Sequence, residues 1–125
     1  MTTRADVERW MDLYRAAWTS NSPDDVTALF TEDAVYHARP FDPEPWQGHQ
    51  GIVVGWLEHS DEPGTWSFDW NLIGLDGDTA FVQGETNYED EPDYDNLWVI
   101  RFADDGRAEH FAEWYMRRPV PSSGE

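Results

Sequence analysis

Cysteine and lysine are both absent from this chain of 125 residues. Without cysteine there is no disulfide framework, no thiolate metal ligand and no thiol nucleophile. Without lysine, all eight bases are arginine, set against 26 acids for a formal charge of −18. Such a surface repels phosphate backbones and anionic lipid heads, which argues against nucleic-acid and membrane partners. No apolar run approaches bilayer length, and residues 1–10 hold no apolar signal core. A soluble, cytoplasmic protein is the expectation.

Familiar site signatures are missing too. There is no Gly-x-Ser-x-Gly elbow for a serine nucleophile. The histidines, His37, His49, His59 and His110, lack His-x-x-x-His spacing. The acidic run 89–95 lacks the spacing and the glycine of a calcium loop. Gly48, Gly51 and Gly55 fall in a helical stretch without phosphate-loop spacing. No metal and no cofactor are expected.

What is present is apolar and aromatic. Hydrophobic residues make up 39%, and eight tryptophans offer large side chains for a core. The length suits one domain, read as residues 1–118 with a disordered tail at 119–125.

Val7, Trp10, Met11, Tyr14 and Trp18 recur at helical spacing, so 4–20 reads as an amphipathic helix with Thr3 as its N-cap. Ser22 caps a second helix with Pro23 at its first position; Val26, Leu29 and Phe30 form its inner face. Residues 34–37 read as a short strand. Prolines 40, 43 and 45 make 38–47 irregular, with Phe41 and Trp46 as a packed flap or rim. A third helix spans 48–59, with Ile52, Val53, Trp56 and Leu57 as its apolar face. Glu62-Pro63-Gly64 is a turn. Trp66, Phe68, Trp70 and Leu72 then alternate strictly with polar residues, and a second strand covers 79–88.

The last two strands form a hairpin over 95–118, with Asp104-Asp105-Gly106 as the turn. Period-two counting puts Asn96, Trp98 and Ile100 on one face, and Leu97, Val99 and Arg101 on the other. Glu109, Phe111, Glu113 and Tyr115 likewise oppose His110, Ala112, Trp114 and Met116. Both faces are apolar at mid-strand, so both are expected to be covered. Helices followed by strands give an α+β fold: three N-terminal helices on a curved, mostly antiparallel sheet, a cone with a pocket at its open end.

Three segments together carry a resemblance. They are Leu29-Phe30-Thr31-Glu32-Asp33-Ala34-Val35-Tyr36, then Trp46-Gln47-Gly48 with Ile52 four residues on, then Val99-Ile100-Arg101-Phe102 through Asp105-Gly106-Arg107 to Glu113-Trp114-Tyr115. In order and spacing the chain resembles the nuclear transport factor 2-like superfamily, within it the SnoaL-like (polyketide cyclase-like) group. The resemblance implies the cone-shaped α+β barrel, and a twofold homodimer through the outer sheet face. It leaves activity open among isomerases, cyclases, dehydratases, epoxide hydrolases and non-catalytic binders. Laid alongside the superfamily's steroid isomerases, the helix-one tyrosine falls on Tyr14. The catalytic aspartate falls on Ala38 and the second oxyanion donor on Trp98. Two of three catalytic groups are thus missing, which argues against that mechanism.

The same comparison implies that Phe30, Trp56, Trp98, Phe111, Glu113 and Tyr115 point into the cone, joined by Phe81, Gln83 and Glu85. With Asn96 they make an aromatic, small-molecule pocket. Glu113 is the leading acid–base candidate, since an aromatic cavity desolvates its carboxylate and raises its pKa; a structural ion pair is the competing reading. Glu85 pairs with it across the sheet or faces solvent. Tyr14 is an oxyanion donor or a satisfied helix tyrosine. His37, at the pocket mouth, is a further base or a structural residue. The expected function is cofactor-independent acid–base chemistry on a small apolar molecule. The alternatives are a ligand-binding protein without turnover and a dimeric scaffold.

Overall fold

The computed structural model describes residues 2–39, 42–59, 65–89 and 93–117. The turn at 62–64 and the tail at 119–125 lie outside the described residues, as do parts of the flap and of the acidic loop. The element order is α1 (Arg4–Ser20), α2 (Pro23–Thr27), β1 (Phe30–His37), β2 (Trp46–Gln47), α3 (Gly48–Glu58), β3 (Trp66–Asp76), β4 (Thr79–Tyr88), β5 (Tyr94–Phe102) and β6 (Ala108–Arg117). No helix among the described residues is long and apolar enough to cross a membrane.

Local chemistry sets the helix ends. Thr3, the expected N-cap, forms a capping box with Asp6: each side chain accepts from the other's backbone N–H, at 3.3 Å for Thr3 and 2.9 Å for Asp6. Asn21 stops α1 in the left-handed conformation, and its N–H donates to Ala17 O at 2.8 Å. Val7, Trp10, Met11, Tyr14 and Ala17 form the buried stripe. Pro23 opens α2, but Ser22 makes no side-chain cap bond; its own N–H donates to Ser20 Oγ instead.

One six-stranded sheet follows the order β2-β1-β6-β5-β4-β3. Only β1 and β6 run parallel; every other neighbouring pair is antiparallel. That parallel pairing lengthens β1 beyond the expected 34–37. Phe30 lies opposite Ala108, and Ala108 N–H donates to Leu29 O at 2.8 Å. The register then shifts between Phe30 and Val35, where Glu32 and Asp33 are exposed, so alternation is clean only beyond it. Leu29 and Phe30 are buried as expected, though they follow α2 rather than belong to it.

The core lies between the concave face of the sheet and the helices. Trp10, Phe30, Phe102, Phe111, Ile100 and Ile52 are almost wholly buried. Trp10 packs edge-on to Phe30 and Phe102, and its indole N–H donates to Leu29 O at 2.9 Å. Two glycines permit close approaches near the open end. A Cβ on Gly55 of α3 would lie 2.2 Å from the Trp46 indole, and one on Gly84 of β4 would lie 2.6 Å from the Phe68 ring.

The sheet register corrects one group of expectations. Val82 pairs with Trp98, so Ala80, Val82, Gly84 and Thr86 share the concave face with it. Phe81, Gln83 and Glu85 sit opposite Val99, Leu97 and Asp95 on the convex face. The physical reason is space. The rings of Phe68 and Trp98 stack at 4.9 Å over β4, so its concave positions must be small. A one-residue change in which set points inward reverses every side chain of a strand. Alternation corrects His37 in the same way. Tyr36 takes the concave face, and His37 stands on the convex face beside His110, with ring centroids 4.9 Å apart.

Candidate functional site

The open end of the cone holds a cavity of about 420 Å³, within the usual size for a small-molecule site. Helix α1 contributes Tyr14 and Trp18, and α3 contributes Trp56. Strand β1 supplies Tyr36, and β2 supplies Trp46. The concave positions of β4, β5 and β6 supply Thr86, Tyr88, Tyr94, Asn96, Trp98, Glu113 and Tyr115. Phe30 and Phe111 lie beneath the cavity rather than on its wall. Phe111 supports the floor, stacked on Tyr36 at 4.4 Å and on Tyr14 at 5.9 Å.

Two polar groupings in this aromatic space carry the candidate chemistry. The first is a phenol pair: the hydroxyls of Tyr14 and Tyr36 lie 3.2 Å apart, both buried. Burial pushes the Tyr14 pKa well up, helped by the neighbouring Tyr36 and Glu113. Burial pushes Tyr36 up as well, with Glu113 adding to the effect. Both phenols therefore keep their protons at neutral pH; one donates to the other, and the second keeps its proton for a ligand.

The second group is a carboxylate held by a short relay. Thr86 Oγ1 donates to Asn96 Oδ1 at 2.8 Å, and Asn96 Nδ2 donates to Glu113 Oε2 at 2.7 Å. The relay fixes which end of the Asn96 amide meets the acid. Trp98 lies directly across the strand pair from Glu113. Its indole N–H has no hydrogen bond of good geometry, yet it favours the ionised acid. Desolvation outweighs both helpers and raises the Glu113 pKa. Burial of its carboxyl end thus pushes the Glu113 pKa upward while one oxygen stays anchored, although the residue as a whole is half-buried.

The structure therefore brings together Tyr14, Trp56, Asn96, Trp98, Glu113 and Tyr115. It leaves His37, Phe81, Gln83 and Glu85 on the far side of the sheet. Sequence reasoning missed Tyr36, Thr86, Tyr88 and Tyr94 as wall residues. Tyr36 was accessible from alternation with buried Ala34; Thr86 was hidden by the wrong parity of β4. Trp46, expected at a rim, lies flat on Tyr36 at 4.6 Å because Gly55 leaves room for its indole. Among the described residues, no group of three His, Asp or Glu side chains is placed to hold a metal ion.

Solved structures share this architecture. An NTF-2 like protein of unknown function from Burkholderia xenovorans superposes with a TM-score of 0.72 at 13% identity, over 96% of this chain and 90% of that one. An LEH-like epoxide hydrolase from M. tuberculosis gives 0.61 at 17% identity, covering 90% and 84%. A steroid delta-isomerase from Pseudomonas aeruginosa gives 0.63 at 18% identity, covering 96% and 85%. At such identities the likeness concerns the fold. No curated protein matches the chain. The SnoaL-like domain model matches residues 7–111, most of the length, and the chain belongs to that family.

Proposed function

We propose that this protein catalyses a cofactor-independent proton transfer on a small, largely apolar molecule bearing a carbonyl or hydroxyl group. One observation carries the reading: a desolvated carboxylate and a buried phenol pair face one aromatic cavity. Asn96 anchors one Glu113 oxygen, and in this reading the substrate's proton goes to the other. A carboxylate whose pKa is raised by burial is a stronger base than a solvated one, which suits removal of a proton from a carbon acid.

For a carbonyl substrate, Glu113 takes the α-proton and the electron pair moves toward the carbonyl oxygen. The Tyr14–Tyr36 pair donates to the oxyanion that develops. Return of the proton from Glu113 to another carbon yields an isomer; its transfer to a β-hydroxyl, which leaves as water while the enolate collapses, yields an α,β-unsaturated carbonyl. Trp56, Trp98 and Tyr115 flank the ligand, with Phe30 and Phe111 as the packed support. The epoxide hydrolase and the steroid delta-isomerase show that this fold accommodates enzymes.

The test is a thermal-shift screen of apolar carbonyl and hydroxyl compounds on wild type and Glu113→Gln, followed by deuterium incorporation into each hit. Binding raises the melting temperature by mass action. The expected result is exchange at a single carbon that falls at least ~100-fold in Glu113→Gln while binding persists. Binding without exchange in wild type supports a ligand carrier instead.

The reading includes a homodimer through the convex face. Leu97, Val99 and Phe81 are half-buried there, and Trp114 and Met116 are 43% and 72% exposed. An apolar strip of this kind suits a self-complementary interface. Sedimentation at micromolar concentration should give a dimer for wild type and a monomer for Leu97→Glu. A wild-type monomer would remove this part of the reading.

A further inference from the structure

The mouth of the cavity differs from its floor. Three tyrosines from adjacent strands line one wall there: Tyr88, Tyr94 and Tyr115. Tyr94 meets Tyr88 at 6.1 Å with the planes 89° apart, and meets Tyr115 at 5.8 Å and 77°. Each of these contacts sets one ring's edge against its neighbour's face, and all three rings line the cavity. Tyr115 is 53% exposed, so this wall opens to solvent. Apart from His59, no basic side chain among the described residues lines the cavity. Acids stand beside the wall instead: Glu89 follows Tyr88, and Asp93 precedes Tyr94 and accepts from the Tyr88 N–H at 3.3 Å.

We infer that the tyrosine wall is a subsite for a cation, so that the substrate is an apolar molecule carrying a protonated or quaternary amine. This rests on reading the cavity as a ligand site, and it narrows the ligand class. A cation is drawn to the negative faces of aromatic rings, and clustered rings serve ammonium groups in particular. The field of a chain with net charge −18 adds to the attraction and opposes any anionic ligand. The ammonium occupies the mouth, so the apolar body reaches inward and Glu113 stays free for the proton it moves. Among the described residues no arginine lines the cavity to hold a carboxylate or phosphate.

The experiment uses a charged probe and its uncharged isostere, benzyltrimethylammonium and neopentylbenzene, against the full chain. Binding is followed by perturbation of the indole N–H signals of the cavity tryptophans. Salt at ~1 M shortens the Debye length to about 3 Å and suppresses loose binding at the acidic surface. The expected result is cation affinity about tenfold above the isostere, with the ratio collapsing toward one in Tyr94→Leu. Tyr94→Phe, which keeps the ring and loses the hydroxyl, retains the ratio. A ratio near or below one in wild type overturns the inference and leaves the apolar cavity standing. A ratio untouched by Tyr94→Leu also overturns it, since the preference then lies elsewhere. Binding of neither probe overturns the inference and counts against the cavity as a ligand site.

Discussion

Glu113 and Glu85 are strand glutamates on opposite faces of one sheet, and the contrast between their surroundings is instructive. Glu113 lies across from Trp98, beneath α1 and α3, with Asn96 bound to one oxygen. Glu85 lies across from Asp95 and Asp69, on the face that carries Met116. The two faces use similar residue types. The concave one removes water from a carboxylate and aims phenols at the same space; the convex one spreads acids over an apolar strip. A side chain's chemistry follows from what covers it, and covering is decided by which face of the strand it takes.

Four predictions bear on that contrast. The largest effect is on turnover. Glu113→Gln should lower ligand-dependent deuterium exchange at least ~100-fold, and exchange surviving intact would erase the functional difference between the faces. Next comes packing. Gly84→Ala puts a Cβ 2.6 Å from the Phe68 ring, which is already stacked on Trp98. Overpacking of this kind costs ~1–3 kcal/mol, read by urea unfolding. An unchanged midpoint would mean the concave face is loosely filled.

A smaller effect concerns pH. The native Glu113 pKa lies above the unfolded value of about 4.3. Across the window between the two, the native state holds a proton that the unfolded chain has released, so stability falls as pH rises. Above the native pKa the loss is complete. Tyr14 and Tyr36, which face the same acid, keep their protons throughout. Glu113→Gln lacks this loss. Its melting temperature should therefore gain on wild type as pH rises above the unfolded carboxylate value; a constant difference would mean the carboxylate is solvated. The smallest effect sharpens the comparison from the other side. Glu85→Gln should leave exchange unaltered and change stability by no more than about 0.5 kcal/mol.

Much of this architecture is legible in the chain. Thr3 with Asp6, Pro23, and Asp105 before Gly106 mark ends and turns by chemistry that acts within a few residues. The alternation within the hairpin is enough to group Asn96 with Trp98, and Phe111 with Glu113, and the strand pairing sets Trp98 opposite Glu113. The β4 parity is not legible. Thr79–Tyr88 carries small residues on one face and Phe81 with polar ones on the other, and Phe81 looks like the inward choice. Tyr36 and His37 pose the same ambiguity in β1.

The sequence by itself determined the order of the helices and of the longer strands, the Thr3 cap, the hairpin turn and which residues share a face, because those depend on backbone dihedrals and short-range hydrogen bonds; the two-residue β2 at Trp46–Gln47, expected to be irregular, forms only by pairing with β1. The tertiary structure alone decided which face is inside. A period of two sorts side chains into two sets without saying which meets water. That choice was made at a distance, by Phe68 and Trp98 filling the space above Gly84 and by β6 pairing with β1 so that Tyr36 meets Tyr14.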